Sequence, residues 1–357
     1  MSCSTIHANF VESIALPEIV QLRPNLLALV FRLMKLLPAR FIIRRAAEQG
    51  ELQPGGSIAE STSGTFGMAL AMIARLQGYR LTLVSDPAIT PLLTRLEDLG
   101  ATVHVVREPA PEGGFQRARL DLLSRVLADN PGSFWPQQYS NPHNPESYAP
   151  CAEQLAHEAG RIDCLVGTVG SGGSVCGISS YLRLLFPELN VIGVDTFGSV
   201  IFGHSDMGAR RTLRGLGNSV IPPIVNHSAF DWVHWVDGAE AFQATRQLHR
   251  KYALFMGPTS GAAYLVADWW ARKNPDKLTV VILPDEGHRY QDTVYSDGWL
   301  EAKRIALCKE VSSPLEVDRP RDGDASWCFC QWGRRSYEAV IGRKPAKHLL
   351  SDGRLAS

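Results

Sequence analysis

The chain has no excess of either charge: 36 Lys and Arg stand against 36 Asp and Glu. A nucleic-acid-binding surface normally needs a basic footprint, so nucleic acid is not an expected partner. Cysteine is scarce and irregularly placed, at positions 3, 151, 164, 176, 308, 328 and 330 of 357 residues. An odd, scattered set makes no disulfide framework and points to a reducing compartment. The opening MSCSTIHANFVESIALPEIV lacks a basic segment feeding an apolar one, so no secretory leader is read and a cytoplasmic location is expected. Long apolar runs are missing as well. Only NLLALVFRLMKLLP at 25–38 comes near, and Arg32 and Lys35 interrupt it far short of the roughly 20 residues a membrane span requires. The run reads as core, and no membrane partner is expected.

What is present is alternation. From residue 57 onward short β-branched runs alternate with helical stretches and glycine-rich joints, the pattern of parallel strands with crossover helices in an α/β protein. SIAES at 57–61 reads as a strand, TSGTFG at 62–67 as the turn into a helix closed by Gly78, and RLTLVS at 80–85 as the next strand. A helix from Pro91 to Leu99 and a strand over 101–106 follow, then a helix over Phe115–Asp129. SNPHNPES at 140–147 is punctuated by proline and reads as the crossing into a second domain. There Cys164–Thr168, VIGVD at 191–195 and Thr279–Leu283 are strands, with a helix over Ile178–Leu185. The expected division is 1–145, 146–305 and an appended tail over 306–357, where periodicity is lost.

Two glycine loops carry the chemistry. GSGGS at 170–174 lies between a strand and a helix, so main-chain N–H groups and the hydroxyls of Ser171 and Ser174 converge at a positive helix terminus, an anion cradle best suited to phosphate. A dinucleotide fingerprint would need a third glycine at position 175, which is Val175, and no Gly-Lys-Ser/Thr follows to make a P-loop. The loop at 62–67 has the same setting and can hold a carboxylate. Two such loops facing one cleft suit a ligand with an anion at each end.

At these residues the sequence resembles the cysteine synthase family of fold-type-II pyridoxal-phosphate enzymes, over roughly residues 40–300. IAESTSGTFGMALAMIARLQGYRLTLV resembles the family's Thr-Ser-Gly-Asn-Thr-Gly substrate loop with its helix and strand, and GATVHVV a later strand. QQYSNPHNP at 137–145 is similar to Gln-Phe-x-Asn-Pro-x-Asn-Pro, GSGGS to the Gly-Thr-Gly-Gly-Thr phosphate loop, and GLG at 215–217 to Gly-Ile-Gly. GPTSGAA at 257–263 and LPDEGHRY at 283–290 are similar to Gly-x-Ser-Ser-Gly-Ala-Ala and Leu-Pro-x-x-Gly-Glu-Arg-Tyr. Seven segments agree in order.

The resemblance implies two three-layer α/β/α domains of the tryptophan synthase β-subunit type, a homodimer, and pyridoxal 5′-phosphate as cofactor. It implies β-replacement on an activated serine-type amino acid, by loss of a β-leaving group through an aminoacrylate and addition of a sulfur or other nucleophile. By the same resemblance Gly170, Ser171, Gly172, Gly173 and Ser174 hold the phosphate, and Thr259 faces the pyridine nitrogen. Thr65 stands where the family's asparagine meets the phenolic oxygen; Ser61, Thr62, Ser63, Gly64 and Gln138 match the substrate-carboxylate residues, and Gly215 lines the far side of the ring. The family's register places the Schiff-base lysine at Lys35.

The sequence departs from the family most before Lys35 and in the substrate loop. The family's Asn-Pro-x-Gly-Ser-x-Lys is replaced by Val30-Phe31-Arg32-Leu33-Met34 before Lys35, where a helix would put Arg32 and Lys35 on one solvated polar stripe. Phe66 stands at the family's threonine and is expected to fill space otherwise open to substrate. These changes leave leaving group and nucleophile open, with S-sulfocysteine, cystathionine and 2,3-diaminopropionate formation among the fits. They also motivate a rival reading, a catalytically impaired homologue acting as a binding or regulatory subunit. No metal site is expected: Cys328 and Cys330 with His348 lack a second cysteine pair and read as surface thiols.

Overall fold

The computed structural model describes residues 6–111, 113–204, 213, 215–307, 313–320 and 325–345. The strands are β1 (Glu18–Arg23), β2 (Leu26–Val30), β3 (Ser57–Ser61), β4 (Arg80–Ser85), β5 (Thr102–Val105), β6 (Cys164–Thr168), β7 (Asn190–Asp195), β8 (Trp232–Val236), β9 (Thr279–Leu283), β10 (Leu315–Glu316) and β11 (Trp327–Gln331). Among the described residues they form an eight-stranded sheet in the order β1-β2-β9-β6-β7-β8-β11-β10 and a three-stranded sheet in the order β3-β4-β5. The run β2-β9-β6-β7-β8 is parallel throughout, as is the small sheet.

The apolar run at 25–38 is core, split between a strand and a helix. LLALV pairs in register with TVVIL of β9, and nearly all of both strands is buried, the composition expected of a sheet covered on both faces. The helix Leu36–Glu48 then turns Leu36, Ala39, Ile42, Ile43 and Ala46 inward, a 3.6-residue stripe; Pro38 is tolerated because it lies in the first turn. That stripe meets Phe66, Ile73 and Ile58 in the core beside the small sheet.

Sheet membership cuts across the expected division at residue 145. β1 and β2, near the start of the chain, belong to the large sheet, while β3 to β5 stand apart. The residues beyond 305, read as an appended tail, dock on their own chain. β11 pairs antiparallel with β8 from Trp327↔Val236 to Gln331↔Trp232, and Trp327 and Trp332 are fully buried. Cys328 and Cys330 are therefore core thiols and not surface ones, because β11 carries them into the sheet. Cys3, Cys308 and His348 lie outside the described residues. The expected Pro91–Leu99 helix is a 3-10 turn over Pro87–Leu92 followed by an α-helix over Leu93–Asp98.

Candidate active site

Loops leaving the C-terminal ends of β2, β3, β6 and β9 converge, where open α/β sheets hold ligands. Lys35 arrives on the first. Phe31 N donates to Leu283 O at 2.9 Å, Met34 N donates to Pro284 O at 2.9 Å, and Leu33 bridges Asp285, so the segment is pinned against the exit of β9. Lys35 is the N-cap of the helix Leu36–Glu48, at φ −66° and ψ −8°. An ammonium has no acceptor with which to cap a helix. The side chain instead donates from Nζ to Ser171 Oγ at 3.2 Å, and burial pushes its pKa down to about 8. The solvated stripe that a helix through Arg32 and Lys35 would have made does not form, because β2 and a pinned turn precede the helix. Arg32 is exposed, with Nε 3.9 Å from Glu286.

The glycine loop follows β6 into the helix Gly173–Leu185, whose N-cap is Gly172 at φ 86° with no side-chain cap. The first-turn N–H groups are left for another acceptor. Larger residues do not fit: a Cβ at Gly172 would fall 2.6 Å from Val225 Cγ2, and one at Gly173 would overlap Asn144 Oδ1. Val175, where a dinucleotide site needs glycine, is fully buried.

Gly170, Gly215 and Thr259 adjoin. A Cβ at Gly170 would lie 3.0 Å from Gly215 O, and one at Gly215 would lie 3.7 Å from Thr259 Cγ2. Thr259, in the first turn of the helix Pro258–Lys273, shares a hydrogen bond with the Asp285 carboxyl, to which Tyr290 OH also donates at 3.1 Å. Burial raises the Asp285 pKa, and the neighbouring Arg289, Nη1 at 3.6 Å, opposes the rise.

The fourth loop begins at Ser61, the last residue of β3. Thr62 Oγ1 accepts from Gly64 N at 3.1 Å and Gly67 N at 3.0 Å, capping a helix, Thr65–Gln77, whose own N-cap Gly64 has no side chain. Gln138 Nε2 donates to Ser61 O at 3.1 Å, while the buried Ser61 Oγ has no partner. Ser63 and Thr65 are half-buried. Phe66 points away from this loop's chemistry: it is 2% exposed and packs among Leu36, Ile42 and Leu70, so it fills core and not substrate space.

Other residues at the site escaped the sequence reading. Asn144 joins two loops, donating from Nδ2 to Gln138 O at 2.6 Å while its Oδ1 abuts Gly173. Arg289 lies against Gly64 and beside Asp285. Glu60 is buried behind Ser61. All stand inside or beside motifs quoted above, which was the available signal.

The donor set fits a phosphorylated aldehyde. A glycine cradle with uncapped helix amides could take a phosphate, an amine with a depressed pKa stands at its edge, and an orphaned hydroxyl and an amide side chain could take a carboxylate.

Comparison with known proteins agrees. A profile described as pyridoxal-phosphate dependent enzyme matches residues 34–285. An N-(2-amino-2-carboxyethyl)-L-glutamate synthase from Ralstonia nicotianae is 38% identical over 284 residues, covering 78% of this chain and 83% of the relative. One of the same name from Cupriavidus metallidurans is 36% identical over 330 residues, covering 87% and 94%. Among solved structures, an O-acetylserine dependent cystathionine beta-synthase from Helicobacter pylori has TM-score 0.75 at 25% identity, over 82% of this chain and 100% of that one. A lysine-to-alanine variant of O-ureido-L-serine synthase, with O-ureido-L-serine bound, has TM-score 0.72 at 24% identity over 85% and 100%, a likeness of fold.

Proposed function

The chain belongs to the pyridoxal-phosphate dependent enzyme family, and from that premise we propose that it joins the amino group of L-glutamate to Cβ of an activated L-serine. The coarser activity is β-replacement of the cysteine synthase type on an activated serine-type amino acid, with pyridoxal phosphate as cofactor. Bound cofactor supplies an electron sink that labilises the Cα proton and a leaving group on Cβ.

The chain's own residues have the following parts in this reading. Gly170, Ser171, Gly172, Gly173 and Ser174 would hold the phosphate through main-chain N–H groups and two hydroxyls. Lys35 would hold the cofactor and serve as the base for the Cα proton; the observation that supports this is Nζ at 3.2 Å from Ser171 Oγ. Thr259 would offer a hydroxyl to the ring nitrogen and so moderate the sink, Thr65 would offer one to the phenolic oxygen, and Gly215 would leave room for the ring. Ser61, Thr62, Ser63, Gly64 and Gln138 orient the substrate carboxylate. In the net reaction the Cβ–O bond breaks with its electron pair leaving on oxygen, and the glutamate nitrogen forms the new bond and loses one proton.

The same reading takes the small and large sheets as the cores of two domains, with the site between them. It takes the chain to be cytoplasmic, in keeping with the five free cysteines among the described residues, and homodimeric, as the family resemblance implies. Formation of cysteine or cystathionine is the second reading, favoured by the fold of the O-acetylserine dependent neighbour.

The experiment supplies the purified chain and pyridoxal phosphate with O-acetyl- or O-phospho-L-serine and, in parallel, L-glutamate, sulfide or homocysteine. Mass spectrometry should find N-(2-amino-2-carboxyethyl)-L-glutamate in the glutamate arm. Faster product formation with sulfide or homocysteine would overturn the choice of nucleophile, and no product in any arm would revive the catalytically impaired homologue.

A further inference from the structure

Glu60 is the penultimate residue of β3 and only 2% exposed. Its Oε1 accepts from Ser61 N at 2.7 Å and from Trp135 Nε1 at 3.1 Å, and its Oε2 accepts from Gln138 N at 3.2 Å. One carboxyl thus ties together the main chains of two residues that are distant in sequence and belong to the carboxylate set proposed above. Gln138 closes the circuit by donating from Nε2 to Ser61 O at 3.1 Å.

Sheet pairing alone does not supply this link. Beside β3, the segment at 134–138 is held by a parallel bridge at Ile58↔Phe134, with Phe134 N donating to Ser57 O at 2.8 Å and Ala59 N donating to Phe134 O at 2.9 Å. The ladder stops there, and from Trp135 to Gln138 the segment is held to β3 by Glu60 and by the Gln138 side chain. Gln137 sits at φ 55°, a conformation L residues seldom adopt; Ser140 N and Asn141 N donate to Gln137 O and Asn144 Nδ2 donates to Gln138 O on one side of the turn, and Glu60 holds it to β3 on the other. A neutral amide in place of the carboxylate has one acceptor oxygen and directs an N–H₂ group at N–H donors.

We propose that Glu60 is a positioning residue of this site, holding the Ser61–Gly64 loop and Gln138 at the spacing that an amino-acid carboxylate requires. The inference rests on the carboxylate-binding reading given above. Glu60 does not touch the ligand; it orders the residues that do. Its charge near an anion-binding loop repels that anion, so positioning and simple electrostatics predict opposite signs. Removing the charge should tighten binding if Glu60 only repels, and weaken it if Glu60 positions.

The test uses the pyridoxal-phosphate-loaded full chain at pH 8 and follows the visible absorbance change on titration with L-serine, with L-serinamide as the ligand lacking a carboxylate. In Glu60→Gln the Kd for L-serine should rise at least about tenfold, with less than about a twofold change for L-serinamide. The KM for the activated serine should rise while kcat stays within about threefold, the pattern of lost substrate binding rather than lost chemistry. Trp135→Phe removes one donor and leaves the charge, and should weaken L-serine binding by about two- to threefold with an unchanged melting temperature. Unchanged or tighter L-serine binding in Glu60→Gln overturns the proposal. Where that variant does not fold, unchanged binding in Trp135→Phe overturns it. A wild-type chain that takes up no cofactor overturns instead the reading on which the proposal rests, so the two failures are distinct.

Discussion

Lys35 Nζ donates to Ser171 Oγ across 3.2 Å, joining the N-cap of one helix to the glycine loop that opens another. The two residues are 136 positions apart in sequence. What brings them together is the pairing of β2 with β9 and of β9 with β6, which aligns three strand exits on one edge.

Covalent attachment of the cofactor needs the neutral amine. Burial lowers the Lys35 pKa to about 8, so the neutral fraction grows as pH rises to that value and saturates above it. The rate at which the apo chain takes up pyridoxal phosphate should rise about tenfold per pH unit below about 7 and level off above about 8. Borohydride followed by peptide mass spectrometry should place the label on Lys35, and Lys35→Ala should take up no label while retaining its circular dichroism. A wild-type rate that climbs on to pH 10 would contradict the burial of the amine.

Gly173→Ala should release the cofactor. Its Cβ overlaps Asn144 Oδ1, and Asn144 is held by its bond to Gln138 O at 2.6 Å, so the clash moves the loop rather than a loose side chain. Equilibrium dialysis should show cofactor affinity weakened about tenfold or more, with stability lower by about 1–3 kcal/mol.

Phe66→Ala tests a packing role against a substrate-lining one. The ring is buried in the core beside the small sheet, so truncation should cost about 3–5 kcal/mol in urea unfolding. Preference among activated serines should stay unchanged. A shifted substrate preference at normal stability would return Phe66 to the pocket.

Glu60 makes stability depend on pH. Burial raises its pKa from 4.5 to about 7, so between these values the native state binds more protons than the unfolded chain, and stability falls as pH rises. The favourable contribution is complete below about 4.5 and gone above about 7. Measured against Glu60→Gln, wild-type stability should drop by on the order of 3 kcal/mol across that window. A flat difference from pH 4.5 to pH 8 would show that the carboxyl titrates normally.

The sequence by itself determined the alternating α/β architecture and both glycine loops, which follow from local rules: strand and helix periods, and glycine where the backbone must come close. The kind of cofactor and the candidate lysine came from the resemblance of seven segments, in order, to a known family. Only the tertiary structure decided which neighbours those residues meet. Arg32 and Lys35 look equivalent along the chain, yet one reaches solvent and the other the glycine loop, because the segment between them is pinned to the exit of β9. The pairing of β11 with β8 turned an aperiodic tail into core, and packing against the helix Leu36–Glu48 took Phe66 out of the pocket. The orientation and burial of a side chain depend on partners far from it along the chain, and so they are settled when the sheets assemble.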